Sequence, residues 1–241
     1  MTRRSQRRIV ELAERYALPA GAAESLDALL DLLAHDPTAP TAITDPARAA
    51  DAHVSDALVA LELDAVRAAR SIADLGSGAG FPGLVLAAAL PDARVWLVEA
   101  SSKKCAFLER AVCAMRLSNV EVAATRVEEW VDGAGRCDLV TARAVAPLNV
   151  LVEYAAPLLI GGGALVAWKG RRDDEDERDG AAAAAATGLA PARVLAVRPW
   201  SGAERLHLHL YLKVGLTPHR YPRRPGIARK QPLRASGSAA G

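Results

Sequence analysis

An apolar run ending at Asp74, four glycines within Gly76-Ser77-Gly78-Ala79-Gly80-Phe81-Pro82-Gly83, and a second apolar run from Leu84 to Leu90 constrain this chain more than any other stretch. That order reads as a strand, a glycine turn and a helix start. Glycine takes positive φ and admits a ligand where a Cβ would collide, as a nucleotide-shaped group requires at a strand end. A purely structural turn needs one or two glycines. Four of them point to a binding loop, and Pro82 suits the first turn of the following helix, where no amide donor is needed.

A dinucleotide loop wants G-x-G-x-x-G, with the third glycine allowing close helix packing and the helix start facing a pyrophosphate. Phe81 stands at that third place. The spacing present, Gly76-x-Gly78-x-Gly80 behind Asp74, resembles motif I of class I S-adenosylmethionine-dependent methyltransferases. That cofactor carries a sulfonium cation and no pyrophosphate, so the acidic Asp74 suits it, with Phe81 as a wall beside it. Further on, Val95-Trp96-Leu97-Val98-Glu99 reads as the second strand with an acid at its end. Such an acid holds ribose hydroxyls in either cofactor class; a helix-cap role before Ser101 is the other reading of Glu99.

At 241 residues, 51% hydrophobic and 24% charged, the chain has room for one substantial α/β core and an appendage. No apolar stretch reaches bilayer length, and Met1-Thr2-Arg3-Arg4 lacks the apolar core of a secretion signal, so a cytoplasmic protein without a membrane segment is expected. Cys105, Cys113 and Cys137 are odd in number and not closely paired, and read as buried reduced thiols, with no metal site. The net charge of +2 conceals an asymmetry. Residues 1–8 hold four arginines and residues 217–241 six basic groups, neither stretch holding any acid, which leaves the middle at −8. Two basic ends suit phosphate, and solubilising tails are the other reading.

Apolar residues at helical spacing (Ile9, Leu12, Ala13, Tyr16, then Leu26, Leu29, Leu30, Leu33) predict two helices broken at Pro19-Ala20-Gly21, followed by a loop over 36–40 and an amphipathic helix over 51–69. Strands then alternate with helices: 72–74, 94–99, 120–124, 138–141 and 164–168, separated by helices such as 84–90, 103–115 and 148–158. Alternation of that kind means right-handed crossovers and a parallel sheet. The alanine run 181–186 predicts a solvated helix, and 192–198 with 206–214 predict a closing antiparallel pair. His207 and His209 alternate on that last strand and read as packing. The expected fold is α/β, a Rossmann-like sheet of the class I methyltransferase type, mostly parallel, seven-stranded with a C-terminal antiparallel pair. Its expected parts are an N-terminal helical extension over 1–60, a methyltransferase domain over 61–214 and a basic, flexible tail over 215–241.

Four motifs in order carry a specific resemblance: Gly76 to Gly83; Arg126-Val127-Glu128-Glu129-Trp130; Thr141-Ala142-Arg143-Ala144-Val145-Ala146-Pro147-Leu148; and Trp168-Lys169-Gly170. Together they resemble the ribosomal RNA small subunit methyltransferase G family, also called glucose-inhibited division protein B. The likeness extends to His53 with Asp56 and to Tyr221-Pro222-Arg223-Arg224-Pro225-Gly226. The chain departs from the family before His53, where Ala34-His35 and Ala39-Pro40-Thr41 replace the usual Trp-Asn and Asn-Leu-Thr.

The resemblance implies methyl transfer from S-adenosylmethionine to N7 of one guanine in 16S rRNA, on the RNA or the small ribosomal subunit, by a monomer. Carried over by motif, the cofactor contacts are Asp74, Gly76, Gly78, Gly80, Phe81, Glu99, Val127, Glu128 and Arg143, and His53, Lys103, Arg126 and Arg143 are candidates near the RNA or the target base. Guanine N7 has a free lone pair in the neutral base, so transfer needs alignment and electrostatics and no general base. In agreement, Arg143 stands where amine-modifying enzymes carry Asn-Pro-Pro-Tyr and pyrimidine-modifying ones Pro-Cys. A structural ion pair is the other reading of Arg143, and a surface lysine that of Lys103. A methyltransferase for a small molecule or protein, and a non-catalytic module retaining the loop, are the competing readings of the whole.

Overall fold

A computed structural model describes residues 3–236 of the chain. One sheet holds seven strands in the order β3-β2-β1-β4-β5-β7-β6: β1 Ser71–Leu75, β2 Arg94–Val98, β3 Val120–Ala123, β4 Cys137–Arg143, β5 Leu159–Lys169, β6 Leu189–Val197 and β7 Leu206–Lys213. β1 to β5 are parallel, and β7 runs antiparallel between β5 and β6, so the expected sheet with its closing pair is present. Strand order reverses at β1, which has β2 on one side and β4 on the other. Ligands of open α/β sheets bind at the strand carboxyl ends beside such a switch point.

The first face of the sheet is covered by α1 (Arg3–Tyr16) and α2 (Ala22–His35), which bury Ile9, Leu12, Tyr16, Leu26, Leu29, Leu30 and Leu33. These residues share one core with Leu84, Phe107 and Leu108, so the N-terminal helices pack into the sheet domain. Where one helix over 51–69 is expected, the chain forms α3 (Pro46–Ala49), a π turn (Ala50–Ser55), α4 (Asp56–Leu58), a 3-10 turn (Val59–Glu62) and α5 (Asp64–Arg67). Asp45 caps the start by accepting from the Arg48 amide at 2.9 Å. The break falls at Leu63, which is extended and buried.

α6 (Gly83–Ala89) and α7 (Ser102–Met115) complete that face, and α8 (Leu148–Ala155), α9 (Asp174–Thr187) and α10 (Ile227–Lys230) cover the other. Asp173 caps α9 through the amides of Glu175 and Asp176. α9 is not simply solvated, because Ala183 and Ala184 are fully buried in the second core. Cys105 and Cys137 are buried, whereas Cys113 is exposed and departs from the expected burial; it follows Val112 on the outer side of α7. No helix among the described residues is long and apolar enough to cross a membrane.

The described part of the segment expected to form a flexible tail over 215–241 packs against α8. Glu153 on α8, 1% exposed, accepts from Arg223 Nε at 2.8 Å, Asn149 Nδ2 donates to the Leu233 carbonyl at 2.7 Å, and Ala228 is buried. The tail reads as solvated because its acid partner lies 70 positions earlier, where local charge counting does not look. The remainder of that expectation, 237–241, falls outside the described residues.

Candidate cofactor cleft and acceptor pocket

A cleft of about 270 Å³ opens at the carboxyl ends of β1, β2 and β4, lined by Gly76, Val98, Glu99, Ala100, Lys104, Thr125, Arg126, Val127, Glu128, Ala144, Val145, Tyr154 and Arg229. Glu99 stands at the end of β2 and is itself buried. Its Oε2 accepts from the Gly78 amide at 3.1 Å and its Oε1 from the Ser101 amide at 2.9 Å. Two backbone donors thus fix the carboxylate while each oxygen retains a lone pair for a hydroxyl. On the far wall, Glu128 Oε1 accepts from the Tyr154 hydroxyl at 3.0 Å and from the Gly226 amide at 2.9 Å. Burial and the neighbouring carboxylate push the Tyr154 hydroxyl up to about 12, so it remains a donor.

The glycine loop divides its work. Gly76, at φ 63, borders the cleft, and a Cβ there would stand 2.9 Å from Val145 Cγ2. Gly80, at φ 91, faces the core: its Cβ would lie 2.2 Å from Leu84 Cδ1. The close helix-to-strand packing that a dinucleotide loop assigns to its third glycine falls here to Gly83, whose Cβ would come within 2.4 Å of Leu97 Cδ2. Asp74 is fully buried beneath the loop, with Oδ1 accepting from Thr141 Oγ1 at 2.8 Å across the β1–β4 register. Loss of hydration pushes its carboxyl up to about 6, against the Thr141, Ser77, Gly83 and Arg143 interactions that lower it. Asp74 is absent from the cleft lining; its contact with Thr141 joins β1 to β4 under the site.

Arg143 ends β4 and points to a second pocket, also about 270 Å³, lined by Asp56, Arg143, Ala144, Ala146, Trp168, Lys169, Gly170 and Leu206. Its Nη1 donates to Asp56 Oδ2 at 2.7 Å and to the Ala52 carbonyl at 3.2 Å, and its Nη2 lies 3.2 Å from His53 Nδ1. The π turn presents Ala52 and His53 to this guanidinium and leads straight into Asp56; π turns commonly mark functional segments. Arginine has only donors, so His53 Nδ1 is the acceptor and the ring proton sits on Nε2, directed at Thr41 Oγ1 at 3.0 Å. Burial first and the Arg143 charge second lower the imidazole to about 4, which keeps His53 neutral. Phe81 stacks on the His53 ring at 4.5 Å and lies under the Arg143 guanidinium at 5.4 Å. It is thus 4% exposed and joins the glycine loop to the N-terminal helices; the sequence expectation makes it a wall beside the cofactor.

The cleft and the pocket adjoin at Ala144, the one residue among the described ones that lines both, held at φ 57. Of the residues expected here, Gly76, Glu99, Arg126, Val127 and Glu128 line the cleft, whereas Arg143 lines the pocket and His53, Phe81 and Asp56 surround Arg143. Lys103 is exposed and its neighbour Lys104 lines the cleft instead, one residue along being a 100° turn of α7. Sequence reading misses Tyr154, Val145 and Arg229. Tyr154 and Arg229 lie on elements that no glycine or strand-end pattern marks; Val145 lies inside a quoted motif and is recognisable only from its contact with Gly76. Among the described residues no group of three or more His, Cys, Asp or Glu is placed to hold a metal; His207 bonds the Gly170 carbonyl and His209 is buried in the sheet.

A glycine loop after β1, an acid ending β2, a cleft at the switch point and an antiparallel β7 define a class I S-adenosylmethionine-dependent methyltransferase. A Thermotoga maritima SAM-dependent O-methyltransferase of known structure shares the fold, with a TM-score of 0.54, 17% identity and coverage of 68% of this chain and 66% of that one. The match to GidB, rRNA small subunit methyltransferase G, spans residues 25–202, and the chain belongs to that family. A Rubrobacter xylanophilus protein named ribosomal RNA small subunit methyltransferase G is 43% identical over 191 residues, covering 77% of this chain and 73% of its own. A Chloroflexus aggregans protein of the same name is 38% identical over 244 residues, covering 97% and 100%.

The residues present fit S-adenosylmethionine. Glu99, fixed by two amides, offers carboxylate oxygens of the kind ribose hydroxyls need, and Gly76 leaves the approach that a Cβ would obstruct.

Proposed function

We propose that this chain methylates N7 of a guanine in 16S rRNA of the small ribosomal subunit, acting as a cytoplasmic monomer. In this reading Gly76, Gly78, Glu99, Val127 and Glu128 hold S-adenosylmethionine, with Asp74, Gly80 and Phe81 shaping the loop from behind, and the base enters the pocket beside Arg143. The single observation carrying it is the junction of cleft and pocket at Ala144, supported by the family to which the chain belongs.

When bound, the cofactor supplies an electrophilic methyl group on a sulfonium. The chain's residues then have two tasks. The first is alignment, for which Arg143, clamped by Asp56, Ala52 and His53, is preorganised. The second is electrostatic. The guanine ring gains positive charge as its N7 is methylated, and a bare guanidinium nearby would oppose that. Asp56 at 2.7 Å neutralises it, while Nε of Arg143 has no hydrogen bond among the described residues and is left as a donor for guanine O6. No proton has to leave N7, which accords with a His53 that is neutral and hydrogen-bonded through both nitrogens.

Exposed Arg126 and Lys104 at the cleft mouth and Arg4 and Arg7 on α1 supply phosphate contacts. Mass spectrometric mapping of 16S rRNA from cells lacking the gene tests the proposal. Loss of one N7-methylguanosine, restored by the wild-type gene and not by Glu99→Ala, is expected; its persistence rejects the substrate.

A further inference from the structure

The C-terminal segment that follows β7 crosses α8 and reaches the cleft. We propose that this strap, residues 218–236, is a wall of the cofactor cleft, and that Gly226 and Arg229 are positioning residues for cofactor binding. The proposal rests on placing S-adenosylmethionine in the cleft that Glu99 and Glu128 line.

Two contacts carry it. The Gly226 amide donates to Glu128 Oε1 at 2.9 Å, the same oxygen that takes the Tyr154 hydroxyl at 3.0 Å. Strap and α8 therefore grip one oxygen of the carboxylate from two sides and leave the other for a ligand donor. Arg229 itself lines the cleft, and its Nη2 donates to the Val145 carbonyl at 3.1 Å. Val145 is the residue whose side chain closes on Gly76, so Arg229 pins the loop after β4 against the glycine loop.

The strap is anchored well enough to act as a wall. Besides the Arg223–Glu153 pair, Asn149 holds the Leu233 carbonyl and Asp179 Oδ1 accepts from the Ala235 amide at 3.0 Å. A preorganised carboxylate and a fixed loop lower the ordering cost of binding. Removing the Arg229 side chain loses one hydrogen bond and that preorganisation, which corresponds to about a five- to tenfold weaker affinity.

Calorimetric titration of S-adenosylmethionine into the full chain and into Glu99→Ala, Arg229→Ala and Lys230→Ala tests this, together with the rate of tryptic cleavage after Lys230 with and without S-adenosylmethionine. Lys230 is an exposed strap cation outside the cleft lining. Expected are loss of binding in Glu99→Ala, five- to tenfold weaker binding in Arg229→Ala at an unchanged unfolding midpoint, no change in Lys230→Ala, and slower cleavage when S-adenosylmethionine is bound. If Glu99→Ala abolishes binding but Arg229→Ala stays within twofold of the parent, or cleavage is indifferent to S-adenosylmethionine, the strap has no part in binding and the cleft reading stands. If Glu99→Ala binds like the parent, the cofactor lies elsewhere and both fall.

Discussion

Arg143 at the end of β4 and Asp56 on α4 meet at 2.7 Å across 87 positions of sequence, with 18% and 8% of their side chains exposed. Burial raises the Asp56 carboxyl above its ordinary value, and the charge and hydrogen bond of the Arg143 guanidinium oppose that rise. Asp56→Asn leaves a buried cation without its counter-charge. Stability is expected to fall by about 3 kcal/mol in urea denaturation. Methyl transfer should fall roughly a hundredfold from lost alignment, while the affinity for S-adenosylmethionine stays near that of the parent.

Two buried titratable groups act on stability in opposite directions across one pH window. Asp74 is raised to about 6 from 3.8, so between those values the folded chain binds more protons than the unfolded one and stability falls as pH rises. His53 is lowered to about 4 from 6.5, so there the unfolded chain binds more protons and stability rises with pH. Asp74→Asn should therefore steepen the gain in stability from pH 4 to 6, and His53→Gln should weaken or reverse it. Urea midpoints at half-unit pH steps measure both slopes. Equal slopes in the two variants would contradict the assignment.

Glycines with positive φ differ in what a side chain would meet. Gly135, at φ 62, has nothing within 4 Å of a built Cβ, whereas at Gly80 that atom would lie 2.2 Å from Leu84 Cδ1. Gly135→Ala should cost only the backbone strain, about 1 kcal/mol. Gly80→Ala adds a steric conflict inside the core and should cost about 3 kcal/mol or more. Thermal unfolding of the two variants side by side checks the difference.

The pair of Glu153 and Arg223 predicts strong coupling. Arg223→Ala leaves a carboxylate 1% exposed without its counter-charge, with only the backbone amide of residue 223 still donating to it, and should destabilise by about 3 kcal/mol. Replacing both with leucine should recover most of that loss, because a buried pair exchanged for apolar groups of similar size is often neutral. A double-mutant cycle by urea denaturation reads the coupling directly.

Periodicity and glycine spacing made the sheet, its antiparallel closure and the cleft legible in advance, because each depends on residues within one or two consecutive elements. Strand-end spacing put Glu99 at the end of β2, and the family resemblance supplied Val127 and Glu128, which sit in a 3-10 turn after β3; all three line the cleft. Phe81 and Asp74 were not legible in the same way. Their placement is set by His53 from the π turn and by Thr141 on β4, at separations of 28 and 67 positions, and no local pattern encodes such partners. The tail was read by its charge alone, whereas its placement comes from Arg223 meeting Glu153 and Arg229 meeting the Val145 carbonyl, partners 70 and 84 positions away.

That last contact spans 84 positions, and it bears on the order of events during synthesis. A nascent chain released only as far as β7 already contains every strand, the glycine loop and Glu99, yet lacks the amide that grips Glu128 and the arginine that pins Val145. Since domains assemble from the N-terminus as they emerge, the sheet has time to form before its binding cleft acquires a finished wall. On the proposed role of the strap, a product truncated after β7 keeps the architecture and binds S-adenosylmethionine more weakly.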